Sequence, residues 1–385
     1  MTGVPAPARL EGATATDALV RQWVAPELLA RAPYSVADAH GRIKLDAMEN
    51  PYPLPASLRS AWSERLGEVA VHRYPDPHAS AVVPLLRDYI DLADDQELVL
   101  GNGSDELIQM LLMLVAAPGR TVLSPAPSFV MYRLVAEALG LHYVGVGLEP
   151  DLTLDSDTML AAIERHQPAI VFLAYPNNPT GTLVPERTLA AVLERAPGLV
   201  VIDEAYQPFA QTSVVPWLGR YPNLVVLRTL SKLGLAGLRF GFLAGPRPWA
   251  AALERIRLPY NINSLSQAAV AFALEHRDVF EEQAAQINAE RARLQAALQA
   301  MPGLEPFPSA ANFVLVRTPA GAAERVFRGL YDDGILVKNV SGQGGVLRDC
   351  LRLTVGTPQE NDRVLDALAR HVDPLRGHGL GDGHA

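Results

Sequence analysis

Cysteine is nearly absent from this chain, which has one, Cys350, among 385 residues. A single cysteine excludes an internal disulfide framework and any metal site built from several thiolates. Long apolar runs are also lacking, since the longest, Leu107–Ala117, is about half the length that a membrane span needs. The start, Met1–Arg9, has no apolar core behind a basic end, as a secretory signal would. We therefore expect a cytoplasmic protein with no membrane partner.

Several catalytic and binding motifs are missing as well. No lysine follows a glycine, so there is no Walker A loop, and neither a His-Glu-x-x-His pair nor a Gly-x-Ser-x-Gly turn occurs. The net charge is −9 and the isoelectric point is about 5.5. This acidic balance argues against nucleic acid as a partner, and any bound anion must be held by local arginines.

Lysine is scarce too. Only Lys44, Lys232 and Lys338 occur among 33 basic residues, and the rest are arginine. Lys232 lies in Thr229–Arg239, which also supplies two hydroxyls and an arginine, groups that hold a phosphate. Lysine can form a Schiff base, whereas the guanidinium of arginine stays protonated and its nitrogens are delocalised. A lysine retained in this setting indicates a covalent anchor for pyridoxal phosphate.

Short apolar runs alternate with helix-period segments across most of the chain. The strand-like runs are Glu97–Leu100, Thr121–Leu123, His142–Val146, Ala169–Ala174, Leu199–Ile202, Leu224–Leu227 and Phe240–Ala244. Continuous apolar runs are typical of strands covered by helices on both faces. The alternation predicts βαβ units, and therefore an α/β fold with a mostly parallel sheet flanked by helices.

The pattern changes after about residue 250. A long helical region, Glu281–Ala300, precedes strand candidates at Phe313–Arg317, Ile335–Lys338 and Leu351–Val355. We expect four parts: an irregular N-terminal arm over residues 1–45, a large cofactor-binding domain over 46–280, a smaller α+β domain over 281–376 and a disordered tail over 377–385.

Polar segments follow three of the predicted strands, at the ends where doubly wound sheets bind ligands. Gly101–Glu106 joins a glycine turn to a helix start, which can bind phosphate or be a plain serine N-cap. Tyr175–Gly181 is a rigid turn with two prolines. Asp203 follows a buried strand and needs a charged partner, such as a protonated pyridine nitrogen, unless it caps the next turn.

The order and spacing of these segments resemble the fold-type-I pyridoxal-phosphate enzymes, in their aminotransferase branch, and within it the histidinol-phosphate aminotransferase family. The segments that carry the likeness are Arg73–Asp76, Gly101–Ile108, Asn177–Gly181, Asp203–Tyr206, Thr229–Arg239 and Cys350–Gly356. The resemblance implies the large and small domains described above, a homodimer, and pyridoxal phosphate as cofactor. It also implies transfer of an amino group between L-histidinol phosphate and 2-oxoglutarate in histidine biosynthesis.

Two other activities use a similar cofactor shell. One is an aminotransferase for aromatic amino acids, and the other is a lyase of the threonine-phosphate decarboxylase type. A non-catalytic protein on this fold is a further alternative, and the presence of both Lys232 and Asp203 argues against it.

The resemblance implies roles for the residues that would surround the cofactor. Lys232 would hold it covalently and shuttle a proton, and Asp203 would pair with its ring nitrogen. Asn178 and Tyr206 would hydrogen-bond the 3-oxygen of the ring, and Phe129 would stack on it. The residues that would hold the cofactor phosphate are Ser104, Asp105, Thr229, Ser231, Arg239 and, reaching across the dimer to the neighbouring subunit's cofactor, Tyr74.

The substrate contacts implied by the resemblance are Tyr34, Asn50 and Arg352. Strand alternation places Arg352 on the face opposite Leu351 and Leu353, and its guanidinium suits either a carboxylate or a phosphate. A solvent-facing arginine on an edge strand would produce the same pattern. The chain departs from the family at Met48, where asparagine is common.

Overall fold

The computed structural model of the chain describes residues 9–32 and 37–372. Contacts divide the chain into two units, Met1–Asp38 and Ala39–Ala385. The first unit contains helices α1 (Arg9–Trp23) and α2 (Pro26–Leu29). Helix α1 corrects the prediction of an irregular arm, because the nearest prolines, Pro7 and Pro26, flank this alanine- and leucine-containing segment and do not interrupt it.

The second unit is built on a large sheet. Its N-terminal part contains strands β1 (Ile43–Lys44), β2 (Gln96–Gly101), β3 (Thr121–Ala126), β4 (His142–Gly147), β5 (Ile170–Ala174), β6 (Leu199–Asp203), β7 (Leu224–Thr229) and β8 (Gly241–Pro246). Seven of them form one sheet in the order β2-β8-β7-β6-β5-β3-β4. Only β8 runs antiparallel to its two neighbours. The predicted α/β fold with a mostly parallel sheet is confirmed, and each predicted strand is present.

Helices cover both faces of this sheet. The helices of this N-terminal part are α3 (Ala56–Gly67), α4 (Val83–Tyr89), α5 (Ser104–Val115), α6 (Val130–Ala138), α7 (Ser156–His166), α8 (Glu186–Arg195), α9 (Gln207–Ala210), α10 (Arg247–Glu254) and α11 (Ser264–Glu275). Phe172 of β5 packs with residues of α5 and α6, whereas its neighbours Val171 and Leu173 pack with residues of α7 and α8. Burial on both faces explains why the strands are apolar runs without alternation.

The C-terminal part contains helices α12 (Arg277–Gln299), α13 (Ala323–Asp332) and α14 (Pro358–Val372), with strands β9 (Glu305–Pro306), β10 (Phe313–Arg317), β11 (Ile335–Leu336), β12 (Lys338–Asn339) and β13 (Cys350–Thr354). Four of these strands form an antiparallel sheet in the order β12-β13-β10-β9. The predicted strand 335–338 is split, since β11 pairs with β1 and β12 pairs with β13.

The predicted boundary between the large and small domains, at residues 280 and 281, falls inside the continuous helix α12. The division into these two domains stays a prediction. The predicted disordered tail over 377–385 lies outside the described residues. Among the residues that the structure describes, no helix is both long enough and apolar enough to cross a membrane.

Candidate active site

A cavity lies at the carboxyl ends of the parallel strands. Ala174, Asp203 and Thr229, the last residues of β5, β6 and β7, line it. The remaining lining residues are Met48, Ser104, Asp105, Phe129, Tyr132, Pro176, Asn178, Ala205, Tyr206, Ser231, Lys232 and Arg239. The carboxyl ends of parallel strands meet at one edge of a sheet, which is why segments distant in sequence converge here.

Lys232 lies on a short helical turn, Ser231–Leu235, which begins two residues after the end of β7. Its Nζ donates a hydrogen bond to the backbone oxygen of Ala47 at 2.9 Å. Burial, with a smaller contribution from the positive charge of Arg352, lowers the pKa of Lys232 to about 8. The amine is therefore closer to the neutral form that a nucleophile requires.

Asp203 supplies a buried carboxylate that is 4% exposed. Its Oδ2 accepts a hydrogen bond from the Tyr132 hydroxyl at 2.6 Å, and its Oδ1 accepts one from the backbone N–H of Ala205 at 3.0 Å. Burial raises the pKa of Asp203 to about 6, although both hydrogen bonds act to lower it. A carboxylate at the wall of this cavity fits a cationic group inside it, such as the protonated ring nitrogen of pyridoxal phosphate.

A cluster of hydrogen-bond donors fits the phosphate of that cofactor. A Cβ added to Gly103, which has φ of 81°, would lie 2.8 Å from Nη2 of Arg239, and one added to Gly241 would lie 2.6 Å from the backbone nitrogen of Ser104. The two glycines thus let Arg239 and β8 approach the first turn of α5, whose N–H groups attract anions. Arg239 Nη2 is 3.2 Å from Asp105 Oδ2.

Two hydroxyls stand beside this cluster. The Oγ1 of Thr229 donates to the Oγ of Ser231 at 2.9 Å, and both residues line the cavity. The structure therefore brings together all the predicted cofactor residues except Tyr74.

Arg352 connects the small sheet to the cavity. Its Nη1 donates to Oδ1 of Asn178 at 2.5 Å, and its Nη2 donates to the backbone oxygen of Asp46 at 2.6 Å. Arg352 is 7% exposed, and β13 lies between β12 and β10, inside its sheet. The alternative of a solvent-facing arginine on an edge strand is therefore wrong.

Among the predicted residues that the structure describes, Tyr74, Asn50 and Arg352 are not part of the cavity lining, and Arg352 meets the lining through Asn178. Tyr74 is 82% exposed, and its ring stacks on Tyr260 with centroids 4.7 Å apart. The Nδ2 of Asn50 donates to the backbone oxygen of Leu233 at 2.9 Å, beside Lys232. Tyr34 lies outside the described residues.

Five residues of the cavity lining were not predicted as site residues: Met48, Tyr132, Ala174, Pro176 and Ala205. Tyr132 was detectable, because it lies three residues after Phe129 and such spacing puts both on one side of a helical turn. Met48 has a left-handed backbone, with φ of 53°, held by hydrogen bonds to Thr354 Oγ1 (3.1 Å) and from Asn312 Nδ2 (2.9 Å). Both partners are distant in sequence, so no local pattern marks Met48.

Known proteins match this chain over most of its length. A model of the family described as aminotransferase class I and II matches residues 41–368. The chain is 54% identical over 349 residues to histidinol-phosphate aminotransferase 2 of Nitrosococcus oceani, covering 91% of this chain and 97% of that protein. It is 51% identical over 358 residues to histidinol-phosphate aminotransferase 1 of Ralstonia nicotianae, covering 92% and 95%.

A solved structure shows the same fold. The histidinol-phosphate aminotransferase of Sinorhizobium meliloti, in complex with pyridoxal-5'-phosphate, matches with a TM-score of 0.82 and 27% identity, covering 92% of this chain and 98% of that one. The chain therefore belongs to the histidinol-phosphate aminotransferases, within the aminotransferase class I and II family.

Proposed function

We propose that this protein transfers an amino group between L-histidinol phosphate and 2-oxoglutarate, giving imidazole acetol phosphate and L-glutamate in histidine biosynthesis. Pyridoxal phosphate is its cofactor. The observation that carries the proposal is the convergence of Lys232 and Asp203 on one cavity, with the buried guanidinium of Arg352 bonded to Asn178 at its wall.

The proposed cofactor residues each supply one group. Bound pyridoxal phosphate supplies an electron sink for the bonds at the substrate Cα. Lys232 holds the cofactor and carries the proton at Cα, a role that its low pKa supports. Asp203 keeps the ring nitrogen protonated, and Asn178 and Tyr206 hydrogen-bond the ring's 3-oxygen. Phe129 covers a face of the ring.

We assign the cofactor phosphate to the first turn of α5, at Ser104 and Asp105, and to the side chains of Thr229, Ser231 and Arg239. The close approach that Gly103 and Gly241 permit supports this assignment. Helix N–H groups and a guanidinium together provide both hydrogen bonds and charge to a phosphate dianion.

Arg352 is proposed to bind the acidic end of both substrates. The guanidinium group can donate paired hydrogen bonds to either a carboxylate or a phosphate. An enzyme that alternates between glutamate and a phosphate monoester needs such a group at one position. Asn50 is proposed to support substrate binding through its hydrogen bond to the backbone oxygen of Leu233, the residue after Lys232. Tyr34 is proposed as a further substrate contact.

The protein is proposed to work as a cytoplasmic homodimer, with Tyr74 reaching the phosphate of the partner's cofactor. The stacked pair of Tyr74 and Tyr260 is exposed, as are Val71 and Leu258 in the same two segments. Exposed apolar side chains of this size are typical of protein interfaces. The buried free thiol of Cys350 is consistent with a reducing compartment.

The test compares amino donors in single half-reactions. Histidinol phosphate, phenylalanine and threonine phosphate are each mixed with the cofactor-loaded enzyme, and kcat/KM is measured from the cofactor's absorbance. Histidinol phosphate is expected to give the highest value. A higher value for phenylalanine would favour an aromatic aminotransferase, and release of carbon dioxide from threonine phosphate would favour a lyase. Lys232→Ala is the control that removes the covalent anchor.

A further inference from the structure

Tyr132 is a buried tyrosine whose hydroxyl contacts the carboxylate of Asp203 and which none of the roles above uses. Its Oη lies 2.6 Å from Oδ2 of Asp203, and the side chain is fully buried. Burial first, and then the Asp203 carboxylate, raise the pKa of Tyr132 well above its ordinary value. The hydroxyl therefore keeps its proton, and it donates to Asp203.

Aromatic packing holds the Tyr132 ring in place on two sides. It stacks on Phe172 of β5, with centroids 4.5 Å apart and planes at 11°, and it meets Phe129 edge to face at 5.6 Å and 84°. Such pairs restrict ring orientation beyond what burial alone does. The hydroxyl is therefore presented to Asp203 from a rigid position on α6.

The two oxygens of Asp203 are held differently. Oδ1 is fixed by a backbone N–H two residues ahead, which a local turn supplies, whereas Oδ2 is fixed by Tyr132 from another element. Without Tyr132 the carboxylate would keep one donor and could rotate about its Cβ–Cγ bond. The tertiary contact is thus the one that sets the plane of the carboxylate.

We propose that Tyr132 is a positioning residue for the cofactor: its hydroxyl orients and stabilises the Asp203 carboxylate that faces the ring nitrogen, and its ring supports Phe129. The proposal rests on the role given to Asp203 in the proposed function. Tyr132 acts through Asp203 and Phe129, and its effect on the amino donor is indirect.

The experiment uses Tyr132→Phe, which removes one oxygen and keeps the ring packing. Tyr143→Phe is the matched control, because its hydroxyl is also hydrogen-bonded, to Ser124 at 2.7 Å, away from Asp203. Both changes are also made in an Asp203→Asn background. The measurements are the dissociation constant of pyridoxal phosphate from each apoprotein, and kcat and KM of the half-reaction with histidinol phosphate.

Tyr132→Phe is expected to weaken cofactor binding about tenfold, since a hydrogen bond to a charged group is lost. It is expected to lower kcat with KM nearly unchanged, while Tyr143→Phe changes neither. In the Asp203→Asn background, Tyr132→Phe should add less than about a twofold effect, because the charge that it stabilises is gone.

Equal behaviour of Tyr132→Phe and Tyr143→Phe overturns the proposal, as does an undiminished Tyr132→Phe effect in the Asp203→Asn background. If Asp203→Asn alone binds the cofactor as tightly as the parent does, the role of Asp203 in the proposed function is wrong and the role of Tyr132 falls with it. Weak binding by Asp203→Asn with normal binding by Tyr132→Phe overturns the Tyr132 proposal alone.

Discussion

The pH dependence of cofactor capture tests whether Lys232 is held near neutrality by its surroundings. Only the neutral amine can attack the aldehyde of pyridoxal phosphate. With a pKa of about 8, about a quarter of the amine is neutral at about pH 7.5, whereas an ordinary lysine would be about 0.1% neutral. Capture at that pH is therefore expected to be roughly 200-fold faster than the ordinary pKa would allow.

The perturbation is Arg352→Gln, which removes the second-largest cause of the lowered pKa and leaves burial in place. The pKa of Lys232 should rise, so the rate profile moves to higher pH. The variant should capture cofactor more slowly than the parent near neutral pH and equally fast at high pH. Arg348→Gln is the control, since Arg348 is an exposed arginine on the loop that precedes the same strand.

The assay mixes each apoprotein with pyridoxal phosphate in a stopped-flow instrument, from about pH 6 to about pH 10, and follows the cofactor's absorbance. Dividing the variant's capture rate by the parent's rate at each pH removes the effect of the cofactor's own titration. The parent rate should be half-maximal near the pKa of about 8 and level off above about pH 9. A parent midpoint near that of an ordinary lysine, or the same shift in both variants, would refute the reasoning.

Three further outcomes are expected. Arg228→Met leaves the buried carboxylate of Glu204, 2.8 Å from the guanidinium, without its cation, so urea denaturation should show a loss of about 3–5 kcal/mol. The control Arg133→Met breaks an exposed pair and should cost less than about 1 kcal/mol, and equal losses would contradict the prediction. Arg352→Lys removes the proposed paired hydrogen bonds between the guanidinium and the substrate carboxylate, so KM for 2-oxoglutarate should rise about tenfold. An unchanged KM would count against a role of Arg352 in substrate binding. Tyr74→Ala should weaken cofactor binding and leave the proposed dimer intact by sedimentation, and unaltered affinity would exclude the proposed contact with the partner's cofactor.

The sequence located much of the site because the site lies at strand ends. Lys232 and Asp203 each follow a continuous apolar run, and such runs mark buried strands without knowledge of their partners. Because ligands bind beyond the carboxyl ends of parallel strands, Lys232 and Asp203 are then predicted to lie at the same site. Asn50 was placed with the substrate from resemblance alone, and its observed partner, the Leu233 carbonyl, is 183 positions away. No local pattern predicts such a contact.

The prediction of an irregular N-terminal arm was wrong. Its prolines favoured irregular structure, yet they flank α1 and do not interrupt it. Met48 was noted as a departure from the family, but its place at the cavity depends on hydrogen bonds with Thr354 and Asn312. A left-handed methionine is strained, and only contacts distant in sequence maintain it.

The sequence by itself determined the chemistry and the layered α/β fold. Residue type limits what Lys232 and Asp203 can do, and the period of the apolar residues limits which elements form. Only the tertiary structure decided the pKa values of those groups and which residues they contact. Burial sets the pKa of both, the Tyr132 hydroxyl reaches Asp203 from another element, and Arg352 lies on an interior strand. These properties depend on desolvation and on distances between segments, which the packing of the whole chain establishes.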